Sequence, residues 1–243
     1  MESFDLSSIL TPGELFGEHT KRILDMITDH SPFPKGRTGK GSRRARLHAA
    51  QIHLSETVYF GQIVYRALNP EKTVEVCSGY GLPTLTMVKC FGTEGICVDM
   101  DDDGLAVGRV IAEKLGLSLT QVREDLFSYL RREGPSLCGT TLMATAAFCC
   151  DRERGRPPGS GEGDLVDLAI RLGMNLAILP YRSGETMRTG VSQERKRFDD
   201  YTRRLVPSGY RVHRHPTKNV LPQTGAPDWF YLEILTAEKR PES

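Results

Sequence analysis

The chain has 243 residues, 39% hydrophobic and 26% charged, with a formal net charge of +1. That length suits one large α/β domain with an appended segment, or two small domains, and the composition is that of a globular chain rather than a disordered one. The near-neutral balance excludes a global field that draws nucleic acid or a membrane surface, so any electrostatic partner has to be argued from local clusters.

In chain order, Thr11 and Pro12 form a cap followed by proline at the first helical position, which predicts a helix over 12–29. SPFPKGRTGKGS (31–42) reads as a Pro/Gly loop. Lys35, Arg37, Lys40, Arg43, Arg44 and Arg46 fall between Asp29 and Glu56, with no acidic residue between those two. A second helix is predicted over 43–68, with Leu47, Gln51, Leu54 and Val58 on one face and Ile63, Val64 and Ala67 continuing the apolar pattern.

After Pro70 strands and helices alternate. TVEVCS (73–78) predicts a strand and LPTLTMVKCF a helix; GICVDM (95–100) predicts a strand followed by a helix carrying Val107, Val110, Ile111 and Leu115. LTQVRED (119–125) is a third strand, LFSYLRRE a short helix, and TTLMATAAF (140–148) a fourth strand. RERGRPPGSGEG (152–163) has no apolar residue and reads as a mobile connection. Asp164 is the expected cap of a helix with Leu165, Leu168, Ala169 and Leu172 on one stripe, stopped by Gly173. NLAILPYR (175–182) is a fifth strand, and a helix over 192–205 turns Phe198, Tyr201 and Leu205 inward. YRVHRHP (210–216) and DWFYLEILT (228–236) are two strands joined without a helix, so they are expected to pair antiparallel. The order implies an α/β fold: a doubly wound, seven-stranded, mostly parallel sheet with an antiparallel last strand, plus an N-terminal helical cap. Residues 1–68 form the expected cap or lid with its basic loop, and 69–243 the sheet domain.

The six cysteines form no CxxC pair, which suits a reducing cytoplasm. No apolar run approaches the ~20 residues of a membrane helix, and MESFDLSSILTPGELFGEH lacks a basic start and apolar block of a secretory signal. A cytoplasmic chain without membrane partners is the expectation.

Ligands of doubly wound sheets bind beyond the carboxyl ends of the strands, near the point where strand order reverses. The first strand therefore delivers VCSGYGLP (76–83) to a ligand, with Gly79 and Gly81 free to take positive φ. Leu82 and Pro83 open a helix whose free N–H groups suit a carboxylate or phosphate. Cys77 stands where such turns carry their first glycine, and a near-extended backbone there makes a small non-glycine residue tolerable. Asp99 ends the second strand 18 residues after Gly81, where a carboxylate takes hydrogen bonds from a ribose diol. Asp125 ends the third strand, placed for an adenine amino group with Leu126 against the ring. Glu75, an acid beside the turn, matches a ligand's ammonium better than a pyrophosphate.

Glu75-Val-Cys-Ser-Gly79-Tyr-Gly81, Val98-Asp99 and Glu124-Asp125-Leu126 together resemble the successive cofactor motifs of class I S-adenosylmethionine-dependent methyltransferases. The resemblance spans about 56–236 and includes the terminal strand pair. It implies that Glu75 and the backbone of Cys77, Ser78, Gly79 and Gly81 hold the methionine part of S-adenosyl-L-methionine, Asp99 and Met100 the ribose, and Asp125 with Leu126 the adenine. The departure at Cys77 implies slightly displaced or weaker binding.

Rival readings stay beside this one. The turn can be a tight strand–helix connection without a ligand. A dinucleotide dehydrogenase lacks its third glycine, because Thr84 holds that place. GRTGKGS (36–42) fails the spacing of a phosphate loop. His213 and His215 share a strand face but have no evident third metal ligand, so no metal is expected. Cys149–Cys150 reads as packing rather than redox chemistry. The Asn/Asp-Pro-Pro-Tyr/Phe signature of base-amine methylation is absent, and TAAFCCD stands in its place.

Methyl transfer is an in-line displacement at a sulfonium carbon, so the protein positions the acceptor and removes its proton where needed. Candidates for that work are Asp151, Tyr181, Glu185 and His53, with Tyr59, Tyr181 and Arg182 as acceptor contacts. The helical cap and the 152–163 connection suggest a covered pocket, which fits a small-molecule acceptor. The alternatives are an RNA- or protein-directed enzyme docking through the 35–46 cations, and a non-catalytic binding protein of the same fold.

Overall fold

The computed structural model describes residues 9–30, 43–145, 160–179, 186–216 and 233–240. The expected loop over 31–42, the vicinal cysteines 149 and 150, and the ends of the fourth, fifth and seventh expected strands (146–148, 180–182 and 228–232) lie outside the described residues.

The helical elements that precede the sheet are α1 (Pro12–Phe16), α2 (Thr20–His30) and α3 (Arg43–Leu68). The single helix expected over 12–29 is broken. Thr11 and Glu14 close a reciprocal capping box at its start, but Gly17 takes φ +53 and a 3-10 turn over Gly17–His19 redirects the chain into α2. Leu15 and Phe16 from α1 and Ile23 and Ile27 from α2 thereby bury against the same core, which a straight helix cannot do.

The sheet elements follow as β1 (Lys72–Val76), α4 (Leu82–Phe91), β2 (Glu94–Asp99), α5 (Asp102–Lys114), β3 (Thr120–Arg123), α6 (Leu126–Glu133), β4 (Thr141–Thr145), α7 (Ser160–Leu172), β5 (Asn175–Leu179), α8 (Thr186–Leu205), β6 (Tyr210–Pro216) and β7 (Glu233–Lys239). The seven described strands make one sheet in the order β3-β2-β1-β4-β5-β7-β6. β1 through β5 pair in parallel, whereas β7 runs antiparallel to both β5 and β6. The strand order reverses between β1 and β4, and that is where a doubly wound sheet opens its crevice.

One face of the sheet is covered by α6, α7 and α8, whose Leu130, Leu165, Phe198, Tyr201 and Leu205 bury against Val74, Val98 and Leu176. On the other, α4 and α5 are in turn covered by α1, α2 and α3 through Leu54, Val58, Leu82, Leu85, Val107 and Ile111. No described helix is long and apolar enough to cross a membrane.

Two expectations around α7 need correction. Asp164 is not its cap, because the helix already begins at Ser160. Residues 160–163, expected to belong to a mobile connection, are helical despite two glycines. A tertiary contact decides this: the buried carboxylate of Glu162 accepts from Tyr201 Oη at 3.1 Å and meets Arg197 Nη1 at 3.3 Å, both from α8. Partners from another element hold a first turn that local propensity does not favour. Gly173 ends α7 with φ +66, as its position predicts.

Candidate functional site

The chain leaves β1 through a turn in which Cys77, Gly79 and Gly81 all have positive φ, at 51, 51 and 67°. The Gly81 N–H donates to Ser78 O at 2.8 Å, and the Leu85 N–H to Gly81 O at 2.8 Å, so the turn closes directly onto the first turn of α4. The expected near-extended backbone at Cys77 is therefore overturned. β1 ends at Val76, and the chain has to curl at once so that the Ser78 N–H can reach Val98 O on β2 at 3.3 Å. A left-handed residue bearing a Cβ costs about 1–2 kcal/mol, so Cys77 stores strain at the mouth of the turn. Sequence reasoning missed this because nothing local to Cys77 demands the conformation.

Several glycines let neighbouring elements approach the turn. A Cβ on Gly81 would stand 2.5 Å from the Cys97 thiol of β2. A Cβ on Gly108 of α5 would stand 2.5 Å from Tyr80 O, and one on Gly104 would stand 3.2 Å from Gly79 Cα. On α3, a Cβ on Gly61 would meet Pro83 O at 2.7 Å. Gly79 itself has no atom of the described residues within 4 Å of that position, so among them its outer face is open to a ligand. The Gly104/Gly108 pair, four apart on one helix face, is the sequence signal of this close approach.

Three carboxyl groups line the ends of β1, β2 and β3 in different ways. Asp99 is half-buried. Its Oδ2 accepts the Gly79 N–H at 2.7 Å and its Oδ1 the Asp101 N–H at 2.9 Å, so it holds the turn and the start of α5 together. Asp125 caps α6, with Oδ1 accepting from Ser128 N at 3.0 Å and meeting Ser128 Oγ at 3.2 Å, while Oδ2 lies outside that cap. Glu75 is fully buried. Its Oε2 accepts from Thr84 N at 3.1 Å and Thr84 Oγ1 at 2.6 Å, and its Oε1 meets Thr145 Oγ1 at 3.0 Å. One N–H of the α4 N-terminus, expected to be free for a ligand, is thus taken by Glu75. Burial, less the effect of those hydrogen bonds, pushes the Glu75 carboxyl up to about 7, and the charge of Asp99 adds to the rise. The Cys97 thiol, also buried, is raised well above its ordinary range by burial and then by Glu75.

Met100 is exposed beside Asp99, Leu126 is buried in the core under α6, and Ser78 is buried within the turn. His53 of α3 comes to the site: its ring meets the edge of Tyr80 with centroids 6.3 Å apart at 70°. Burial lowers the His53 pKa to about 4, so the ring is neutral near pH 7. The Tyr80 hydroxyl is buried without a hydrogen-bond partner among the described residues, and burial with the charge of Asp101 raises its pKa to about 12. Tyr59 lies apart from the turn, lining a cavity of about 360 Å³ between the N-terminal helices with Thr11, Leu24, Leu54 and Ser55. Asp151, Tyr181, Arg182 and Glu185 lie outside the described residues. His213 and His215 stack 6.3 Å apart, and His215 Nε2 lies 2.9 Å from Thr236 Oγ1. Among the described residues no group of three His, Cys, Asp or Glu is arranged to hold a metal ion.

No protein-family model matches the sequence, and no curated protein matches it. Solved structures do match in three dimensions. The O-methyltransferase TomG from Streptomyces achromogenes, in complex with S-adenosylmethionine, aligns over 76% of this chain and 80% of its own at TM-score 0.53 and 8% identity. Magnesium protoporphyrin IX methyltransferase from Synechocystis PCC 6803 aligns over 90% of this chain and 97% of its own, at TM-score 0.53 and 12% identity. The METTL16 methyltransferase domain aligns over 77% and 69%, at TM-score 0.53 and 8% identity. The fold is that of the class I S-adenosylmethionine-dependent methyltransferases. Within this methyltransferase fold the glycine turn, Asp99 and Asp125 stand at the carboxyl ends of three adjacent strands, beside the point where strand order reverses.

Proposed function

We propose that the chain is an S-adenosyl-L-methionine-dependent methyltransferase acting on an oxygen or nitrogen nucleophile of a small molecule. The observation that carries the reading is the Gly79–Asp99 contact: a turn with an open glycine face, held at 2.7 Å by an acid one strand over. The residues present fit the cofactor. The backbone of Cys77–Gly81 with Ser78 and Glu75 takes the methionine part, Asp99 with Met100 the ribose, and Asp125 with Leu126 the adenine. Both Asp99 oxygens already accept one N–H each and retain lone pairs for hydroxyl donors.

S-adenosyl-L-methionine supplies a methyl group on a sulfonium centre, ready for in-line attack. This chain then has to hold donor and acceptor in line and exclude water. Neutral His53, beside Tyr80, is placed to accept a hydrogen bond from, and so orient, an acceptor that approaches over the turn. Asp151, Tyr181, Arg182 and Glu185 follow β4 and β5 in sequence and complete the acceptor side in this proposal. Residues 1–68 serve as its cover, and 69–243 as the cofactor domain.

Calorimetric titration with S-adenosyl-L-methionine tests the reading; no heat at millimolar cofactor would sink it. Asp99→Ala is expected to weaken binding at least about tenfold, the loss of a charge-assisted hydrogen bond, and an unchanged affinity would move the ribose elsewhere. One observation favours a second acceptor class. The first turn of α3 holds Arg43 and Arg46 and no acid; Arg43 Nη2 meets Asp25 Oδ1 of α2 at 3.4 Å, and the remaining positive charge at a helix N-terminus suits an anionic partner. Steeply salt-dependent RNA binding, lost on neutralising Arg43, Arg44 and Arg46, would assign the acceptor to RNA.

A further inference from the structure

Among the described acids of the site Glu75 alone is fully buried, at the end of β1 beside the glycine turn. The groups bonded to it are uncharged. The Thr84 N–H can only donate, which keeps Oε2 an acceptor, but the Thr145 hydroxyl 3.0 Å from Oε1 can donate or accept. Oε1 can therefore carry a proton or lack one without losing its hydrogen bond, by reversal of one hydroxyl. The titratable groups that face Glu75 from β2 are Asp99, whose negative charge opposes a second anion, and the buried Cys97 thiol. From α4 and β4 it meets the hydroxyls of Thr84 and Thr145. An acid so placed has, among the described residues, hydroxyls rather than a cation against it, and so lacks there the counter-charge that a buried carboxylate needs.

We propose that a cationic ligand seated at the glycine turn supplies that counter-charge, so that its binding expels the Glu75 proton. Resting on the reading of the site as one for S-adenosyl-L-methionine, this makes cofactor affinity proton-linked. The Oε1–H bond breaks, the proton passes to the buffer, and the carboxylate that remains faces the ligand's positive charge. With the carboxyl of the free protein near 7, release is expected to be about 0.9 proton at pH 6, about 0.5 at pH 7 and about 0.1 at pH 8. The Glu75 contribution to affinity then tightens binding about tenfold from pH 6 to pH 8 and levels off above.

The test is calorimetric titration of the full chain with S-adenosyl-L-methionine at pH 6, 7 and 8, in buffers of different ionisation enthalpy, which counts protons directly. Glu75→Gln copies the neutral acid in shape and hydrogen bonding. It is expected to abolish the release and to weaken binding at pH 8 about tenfold or more. The ligand's own amine titrates at about 7.7–8.0 and is protonated both free and bound at pH 6, so the proton count at pH 6 reads Glu75 alone. Thr145→Val keeps the carboxyl but removes a hydrogen bond that lowers its pKa, and should move the release window to higher pH. Binding with the same proton count in wild type and both variants would overturn the inference while leaving the proposed function standing. No binding by the wild-type chain would overturn both.

Discussion

Both faces of the sheet bury large side chains, but they differ where the glycine turn sits. Under α6, α7 and α8 the space is filled by large side chains, with Phe198, Tyr201 and Tyr210 almost wholly buried. Polar atoms there find partners within the core, as Tyr210 Oη does with Met174 O at 2.9 Å. Around the glycine turn the neighbours approach by having no side chain at all, at Gly61, Gly81, Gly104 and Gly108. That side also keeps polar atoms in tension: among the described residues Tyr80 Oη lacks a partner and Glu75 a cation, and Cys77 sits at positive φ. In a core filled by side chains a substitution lowers stability, whereas a turn built on close backbone approach concentrates strain where a ligand can relieve it.

Substitutions on the two faces should therefore separate stability from binding. Phe198→Ala is expected to lower unfolding free energy by about 3–5 kcal/mol with cofactor affinity held within about twofold, since the residue lies in the α8 core rather than at the turn. Urea denaturation alongside calorimetry reads both, and a large affinity loss with little destabilisation would erase the contrast. Gly81→Ala inverts the pattern. Its φ of +67° and the 2.5 Å approach to the Cys97 thiol predict about 1–3 kcal/mol of destabilisation, but cofactor binding reduced at least about tenfold through displacement of the turn.

A pH series sharpens the comparison further. The Glu75 carboxyl is raised from 4.5 in the unfolded chain to about 7 in the fold. The folded protein thus holds a proton that the unfolded chain releases first, and the stabilisation from that proton is complete below about pH 4.5. It is lost as pH rises to about 7, by on the order of 3 kcal/mol. Glu75→Gln cannot titrate, so its stability relative to wild type should climb over that window and then stay level. Thermal melts at pH 5, 6, 7 and 8 show this, and a constant offset would mean that Glu75 is ionised throughout. The smallest effect is expected of Cys77→Gly: relief of a strained φ, offset by glycine's greater freedom in the unfolded chain, leaves a gain of about 1 kcal/mol or less. A loss of stability would show that the thiol's packing against the α6 face outweighs its strain.

Much of this architecture is legible locally. α3 begins at Arg43 and ends at Leu68, and α6 spans Leu126–Glu133, both as periodicity predicts; Asp125 marks the start of α6 by capping it. Gly79 and Gly81 take the positive φ that their turn requires, and Phe198, Tyr201 and Leu205 face inward. The lone reversed strand follows from two strands joined without a helix, although its insertion between β5 and β6 is a fact of the whole sheet.

What the residues of 74–85 specify by themselves is a strand, a glycine turn and a helix start, because caps, periodicity and backbone freedom act over a few positions. Sequence order alone also places Asp99 and Asp125 at the next two strand ends. Only the tertiary structure decides what those acids do. Asp99 grips Gly79 from 20 residues away, Thr145 reaches Glu75 across 70, and Glu162 winds the start of α7 through Tyr201 across 39. A buried polar group takes whichever partner the packing brings to it, and no rule of local spacing encodes that choice.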